Sequence, residues 1–337
     1  MKAVRFHEHG GVDVLRHEDA PDPRATPGWA IVRVRACALN HLDLWERRGI
    51  ERVPLPLPHI SGSDVAGEVV ESTTMARGTR VMLQPGLRCG ACAPCRSGRD
   101  NFCVKYDVLG LQSDGGYAEL VRIPEENLIP IPDAISFVDA AAFPLVFLTA
   151  WHMLVGRAAL REGETVLVLA GASGVGQAAI QIARHFGARV FVTSAPEKAD
   201  RCRKLGAELV FDHYSGDFAR DVRRATSGRG VDVVIEHVGE ATWDRSVRSL
   251  ANGGRLVTCG ATTGPLAAVD LRHLFGRQLS LLGSYMGTFA DLRQAARPFF
   301  EGAIRPVIDE VLPLSRAADA QRRLEDKKQF GKLVLEP

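Results

Sequence analysis

The sequence has no apolar run long enough to cross a bilayer. The longest, Ala140 to Val155, is interrupted by Pro144, Thr149 and His152 and falls short of the ~20 residues a spanning helix needs, so it reads as core. It has no excess of charge of either sign: Lys and Arg number 42, Asp and Glu 40, for a net +2. That balance removes any global electrostatic case for nucleic acid or an anionic membrane as partner. The basic stretch Arg220–Arg224 is short and mixed with acid, which is the pattern of a solvated helix face. The opening residues, MKAVRFHEHGG, hold no apolar segment of the secretory kind. With no such signal, seven cysteines point to a reducing, cytoplasmic setting, where clustered thiols bind metal more often than they pair. What is present is ordinary globular composition, 46% hydrophobic and 24% charged, which excludes disordered and collagen-like classes. The 337 residues suggest about two domains.

Two rhythms divide the chain. The first 130 residues carry short apolar runs separated by Gly and Pro: Ala30–Ala36, Gly67–Glu71, Thr79–Leu83 and Tyr117–Ile123. They predict a small antiparallel barrel. Val53–His59, with Pro54, Pro56 and Pro58, must be extended. From about Gly163 strands and helices alternate. The expected strands are Thr165–Ala170, Arg189–Thr193, Glu208–Phe211, Val231–Glu236, Arg255–Cys259 and Leu279–Gly283. The expected helices are Val175–Phe186, Glu197–Leu205, Asp217–Thr226 and Ala241–Leu250. Apolar strands separated by helices predict a parallel sheet covered on both faces. A helix over Ala317–Leu324 and a strand over Lys332–Leu335 close the chain and fit either half.

Strand Thr165–Ala170 runs into Gly171-Ala172-Ser173-Gly174-Val175-Gly176 and then a helix. A dinucleotide pyrophosphate needs small residues at such a turn, so that the backbone can bend and approach the phosphates while the helix N-terminus offers its free N–H groups. A plain tight turn is the alternative, but the strand before it, the helix after it and a second strand on schedule favour phosphate. The second strand ends Val192-Thr193-Ser194, without the acid that would accept from the ribose hydroxyls of NAD. Thr193 and Ser194 would not repel a 2′-phosphate, and Lys198 can supply positive charge, so NADPH is expected over NADH.

Cys89, Cys92, Cys95 and Cys103 are spaced C-x2-C-x2-C-x7-C, with Gly and Pro between them. Four thiolates so placed close around one tetrahedral ion and leave no open position, which makes a zinc there structural. An iron–sulfur cluster is the alternative, although the bacterial cluster run has a shorter last gap and a following Pro. Cys37, Cys202 and Cys259 are isolated.

The order of barrel, four-cysteine lobe and dinucleotide fold resembles the medium-chain dehydrogenase/reductase superfamily, the zinc alcohol dehydrogenases and quinone oxidoreductases. The resemblance spans the chain and is carried by Val34–Gly49, Pro58–Gly67, Gly86–Cys103, Phe143–Trp151, the GASGVG turn and Gly253–Gly260. It implies an α/β protein: a GroES-like β-barrel domain (1–146 and 288–337, with the four-cysteine lobe at 86–104) around a Rossmann doubly wound parallel sheet (147–287). It also implies an active site in a cleft between the two. Thr149, Gly260, Gly283 and Ser284 would then bind the cofactor with Gly171, Ser173, Gly174, Val175, Gly176, Thr193, Ser194 and Lys198.

The departures from the alcohol dehydrogenases matter as much. The positions matching the three ligands of their catalytic zinc carry Asn40, Ser63 and Leu145. Asn and Ser are poor ligands and Leu is none, so the pattern is similar to the metal-free quinone oxidoreductase branch. Without a metal, hydrogen-bond donors must polarise the substrate carbonyl. The candidates are Asn40, His41 and Tyr285, with Asp43 orienting them. Three functions follow: an NADPH-dependent reductase of quinones, enones or similar carbonyls; an alcohol dehydrogenase or aldehyde reductase with a displaced metal on His41, His59 and Asp64; or an NADPH-binding protein without turnover. One structural zinc per subunit and a small-molecule substrate are expected. The apolar last strand of the sheet, exposed at an edge, suggests a homodimer or a dimer of dimers.

Overall fold

A computed structural model of the chain describes residues 1–51 and 53–337. Strands β1 (Lys2–Arg5), β2 (Arg16–Asp19) and β3 (Trp29–Ala38) precede helix α1 (His41–Arg48). Strands β4 (Asp64–Glu71), β5 (Arg80–Leu83) and β6 (Gly86–Leu87), the short helix α2 (Ala93–Arg96), and strands β7 (Asp107–Val108), β8 (Leu120–Pro124) and β9 (Leu128–Pro130) come next. Helices α3 (Phe137–Ala142) and α4 (Pro144–Trp151) lead into β10 (Thr165–Val168), α5 (Gly174–His185), β11 (Arg189–Ser194), α6 (Ala199–Lys204) and β12 (Leu209–Asp212). Then come α7 (Phe218–Ala225), β13 (Val231–Glu236), α8 (Trp243–Ser249), β14 (Leu250–Thr258), α9 (Leu271–Gly276) and β15 (Ser280–Gly283). The chain ends in α10 (Phe289–Phe300), β16 (Ile308–Pro313), α11 (Ala317–Glu325) and β17 (Lys332–Glu336).

Two compact units emerge. One comprises Met1–Leu145, Thr288–Phe300 and Pro306–Pro337, the other Val146–Gly287 with Glu301–Arg305. Against the expected 1–146 and 288–337 around 147–287, Val146 and Glu301–Arg305 fall in the nucleotide-type unit.

The first unit is built on a seven-stranded sheet ordered β16-β17-β3-β4-β5-β9, with β8 on β3. In the middle of β3 side chains alternate: Val32 and Val34 are buried while Arg33 and Arg35 face solvent. That period of two is what a sheet with one covered face requires. All its pairings are antiparallel except β16 with β17. The last strand, β17, lies antiparallel to β3, with Val334 opposite Ala38 and Leu335 opposite Cys37. So the C-terminal strand belongs to the barrel unit, and it carries Lys332 to the point where β3 gives way to α1.

The second unit is a six-stranded parallel sheet ordered β12-β11-β10-β13-β14-β15. Every residue of β10 is buried, as a central strand between helical layers requires. Strand order reverses between β10 and β13, the place where such sheets bind ligands at their strand ends. β15 is an edge strand, paired with β14 alone. Some boundaries differ from expectation. The strand expected at Arg255 starts at Leu250, because Leu250 already pairs with Val231 across a register shift. The helix expected over Glu197–Leu205 divides into a 3₁₀ turn, Pro196–Lys198, and α6. Among the described residues no helix is long and apolar enough to cross a membrane.

Candidate active site

In the barrel unit the residues around Asn40 form one buried polar network. Asn40 caps α1, and its backbone N–H donates to Asp43 Oδ2 at 2.9 Å, which ties the start of the helix back on itself. Tyr117 donates its hydroxyl to the same oxygen at 2.8 Å. Asp43 is fully buried, and burial pushes its carboxyl up to about 6. The Asn40 side chain points the other way. Its Nδ2 donates to Asp64 Oδ2 at 3.0 Å, and its Oδ1 accepts from Lys332 Nζ at 2.7 Å. Lys332 also donates to Asp64 Oδ2 at 2.9 Å, and Asp64 Oδ1 accepts the backbone N–H of Leu145 at 2.8 Å. Asn40, Asp64 and Lys332 are 7%, 0% and 2% exposed.

This geometry corrects two expectations. The Asn40 amide is engaged at both ends inside the network: Nδ2 gives one N–H to Asp64 and lies 3.5 Å from the Ala38 carbonyl, so its donors face protein acceptors instead of a substrate oxygen. His41, His59 and Asp64 do not make a displaced metal site either. His59 donates from Nε2 to the Gly110 carbonyl at 2.6 Å, packs edge-on against Phe6, and is held below the usual imidazole range by burial. Among the described residues the cysteine quartet is the one group of three or more His, Cys, Asp and Glu side chains placed to hold a metal. His41 stands half-buried at the first position of α1, beside this network. Lys332 was not foreseen: it lies 292 residues from Asn40, and no local motif marks it.

In the nucleotide-type unit the turn after β10 has the tight geometry its glycines imply. Ala170 takes a positive φ of 46°. A Cβ on Gly171 would strike Val192, and one on Gly176 would strike the Ala170 carbonyl. Ser173 caps α5 by accepting the Gly176 N–H at 2.9 Å, and the remaining first-turn N–H groups of Gly174 and Val175 lack partners within the helix. His237, unforeseen, places Nε2 2.9 Å from the Leu169 carbonyl and 3.4 Å from Ser173 Oγ, which braces the turn from behind.

Thr193 calls for a further correction. It is fully buried, and its hydroxyl accepts the Ala170 N–H at 3.0 Å and lies 2.8 Å from His213 Nδ1. It holds the strained turn instead of facing a nucleotide. Its neighbour Ser194 lines a cavity of about 320 Å³ with Pro196, Asp200, Arg203 and Asp212. Lys198 ends the 3₁₀ turn beside it. Arg203 and Asp212 escaped the sequence reading; the one-turn spacing of Ala199 and Arg203 on a helix after a nucleotide-type strand is the signal that could have shown them. Elsewhere in this unit Thr149 is buried in α4, Gly260 follows β14 close to His237, and the Gly283 carbonyl accepts from Arg157 Nε at 2.8 Å. The Ser284 N–H bonds the Thr258 carbonyl at 2.8 Å, and Tyr285 is exposed.

The cysteine lobe lies between β6 and β7. The four Sγ atoms are all within 4.8 Å of one another. Ligands at 2.3 Å from a tetrahedral zinc are about 3.8 Å apart, so the quartet fits such an ion. The N–H groups of Cys89 and Lys105 both point at Cys103 Sγ at 3.3 Å, as they do toward thiolates. Backbone N–H groups of Cys95 and Val104 bring the Cys92 thiol down to about 6.

Comparison with known proteins bears on both units. A model of the alcohol dehydrogenase GroES-like domain matches residues 26–133, and one of the zinc-binding dehydrogenases matches residues 174–301. A quinone oxidoreductase of Pseudomonas aeruginosa is 34% identical over all of this chain and 99% of its own. The chain belongs to the medium-chain dehydrogenase/reductase superfamily. An acryloyl-coenzyme A reductase of Metallosphaera sedula is 31% identical over 99% of both chains. The crystal structure of an NAD-dependent alcohol dehydrogenase, 44% identical, superposes over the full length of both chains with a TM-score of 0.97. As a medium-chain dehydrogenase/reductase the protein is an NAD(P)-dependent oxidoreductase. The catalytic zinc that such a family implies does not fit the residues here. At its ligand positions stand an amide bound at both ends, a serine and a leucine, and the carboxylate beside them is neutralised by an ammonium.

Proposed function

We propose that this oxidoreductase uses NADPH to reduce quinones, enones or similarly activated carbonyls without a catalytic zinc. The observation that carries the reading is the Asn40–Asp64–Lys332 network, in which Asn40, at one of the three ligand positions of a metal-dependent dehydrogenase, is tied to a buried ion pair, while Ser63 and Leu145 stand at the other two. Without a Lewis acid, unactivated alcohols and aldehydes are poor partners for hydride exchange. A conjugated carbonyl needs less, because hydride added at its β-carbon, or to a quinone, leaves an oxygen anion that one donor can stabilise. His41, which begins α1, is the nearest titratable donor to the network in sequence, and Tyr285 is a second candidate. Asp43 anchors the helix start. The quinone oxidoreductase and acryloyl-coenzyme A reductase among the relatives support this substrate class.

Preference for NADPH rests on the end of β11. β11 itself ends without an acid; at the adjoining Ser194 cavity Arg203 stands with Asp200, its ion-pair partner at 2.6 Å, and Asp212, and Lys198 ends the 3₁₀ turn beside it as the cation for a 2′-phosphate. The four cysteines would hold one structural zinc per subunit. The protein would work in the cytoplasm as a homodimer or a dimer of dimers joined through β15. NADPH consumption across a panel of quinones, enones and simple aldehydes tests the proposal. Turnover of the first two classes supports it, and turnover confined to aldehydes and alcohols contradicts it.

A second reading, an NAD-dependent alcohol dehydrogenase, is favoured by the 44% identity to a structure of that description. It predicts alcohol oxidation with NAD. A third, NADPH binding without turnover, predicts cofactor affinity and no consumption with any class.

A further inference from the structure

We infer that Lys332 is a positioning residue for the reaction proposed above, acting through Asn40 on the start of α1; the inference rests on that functional reading. An ammonium can only donate, so it fixes the orientation of the Asn40 amide. Oδ1 must face Lys332 at 2.7 Å, and Nδ2 is thereby turned to Asp64 Oδ2 at 3.0 Å. Asp64 in turn receives three donors: Lys332 at 2.9 Å, Asn40, and the Leu145 backbone N–H at 2.8 Å. One buried cation thus ties together four segments of the barrel unit: the start of α1, the start of β4, the start of α4 and the C-terminal strand β17. His41 is the residue after Asn40, so its backbone is set by this tie. Asn40 Oδ1 and Asp64 Oδ2, the oxygens facing this point, both accept from the ammonium.

Stability alone does not explain such a group. Lys332 is 2% exposed and its carboxylate partner fully buried. Taking both charges out of water costs about as much as their attraction returns, and apolar or neutral replacements of such pairs are often as stable. A fold that needed only cohesion here would be served by a neutral pair. The charged pair does something a neutral pair cannot: its donor-only ammonium holds the Asn40 amide in one orientation.

The test separates charge from fold. Lys332→Met alone leaves the Asp64 carboxylate buried and unpaired and should lower the melting temperature. Lys332→Met combined with Asp64→Asn makes a neutral pair of similar shape. It should melt close to wild type and bind NADPH within about twofold, yet lose at least about tenfold in kcat on a quinone or enone. If the double variant does not fold, Lys332→Ala with added methylammonium takes its place. Saturable recovery of kcat supports the inference, and recovery of melting temperature without kcat overturns it. A double variant that turns over like an active wild type overturns this inference alone. A folded wild type that binds NADPH but reduces no quinone or enone overturns the functional reading, and this one with it.

Discussion

Asp43 shows how a single buried carboxylate shapes the pH response of the site. Burial raises its folded pKa from 3.8 to about 6, so the folded protein prefers it protonated. Its favourable contribution is complete below about 4 and is lost as pH rises through about 6, on the order of 3 kcal/mol in all. Asp43→Asn removes the titration and keeps an acceptor for Asn40 and Tyr117. Relative to wild type the variant should gain stability between pH 4 and pH 7 in thermal melts; parallel curves would show that Asp43 stays ionised in the fold. Lys198→Ala should weaken NADPH binding severalfold and leave NADH nearly unchanged, since only NADPH carries the extra phosphate; equal losses in titration calorimetry would make Lys198 a structural residue. At this scale the sequence was a partial guide. The phosphate turn could be read because its requirements are local: Gly171 and Gly176 leave room that any Cβ would fill. The roles of Thr193 and Asn40 could not, since each depends on a partner from elsewhere, His213 in one case and Lys332 in the other.

Among the elements, the cysteine lobe has little apolar support of its own. Its helix α2 has only four residues, and Phe102 and Val104 beside it are exposed. Binding energy from a metal is therefore folding energy for this segment. Cys95→Ser should release zinc, lower the melting temperature and favour aggregation. The nucleotide unit should still bind NADPH in the soluble fraction. A variant that keeps its zinc and stability would show that the quartet does not act as one site. The spacing of the four cysteines made this lobe legible, whereas β17 was ambiguous. Four strand-like residues at a chain end do not reveal their pairing. Only the antiparallel register with β3 assigns them to the barrel and brings Lys332 to Asn40. Parallel strands of the nucleotide unit were legible as continuous apolar runs, and the early start of β14 was not, because its first residues pair across a register shift.

For the whole molecule, β15 ends the six-stranded sheet with one side unpaired. On α9, which precedes β15 in the chain, Leu271 and Phe275 are 66% and 72% exposed. An apolar edge of this kind is stable in water when a second copy covers it, so light scattering at micromolar concentration should give a dimer or tetramer mass; a 36.6 kDa species would contradict that. In the proposed function a chain-supplied network of Asn40, Asp64 and Lys332 stands in place of a catalytic metal, and the cysteine lobe would hold one zinc. Elemental analysis of purified protein that is actively oxidising NADPH with an enone or quinone tests this most directly. The account predicts one zinc per chain and turnover that does not rise when zinc is added. Two zinc ions per chain, with turnover proportional to the second, would contradict it.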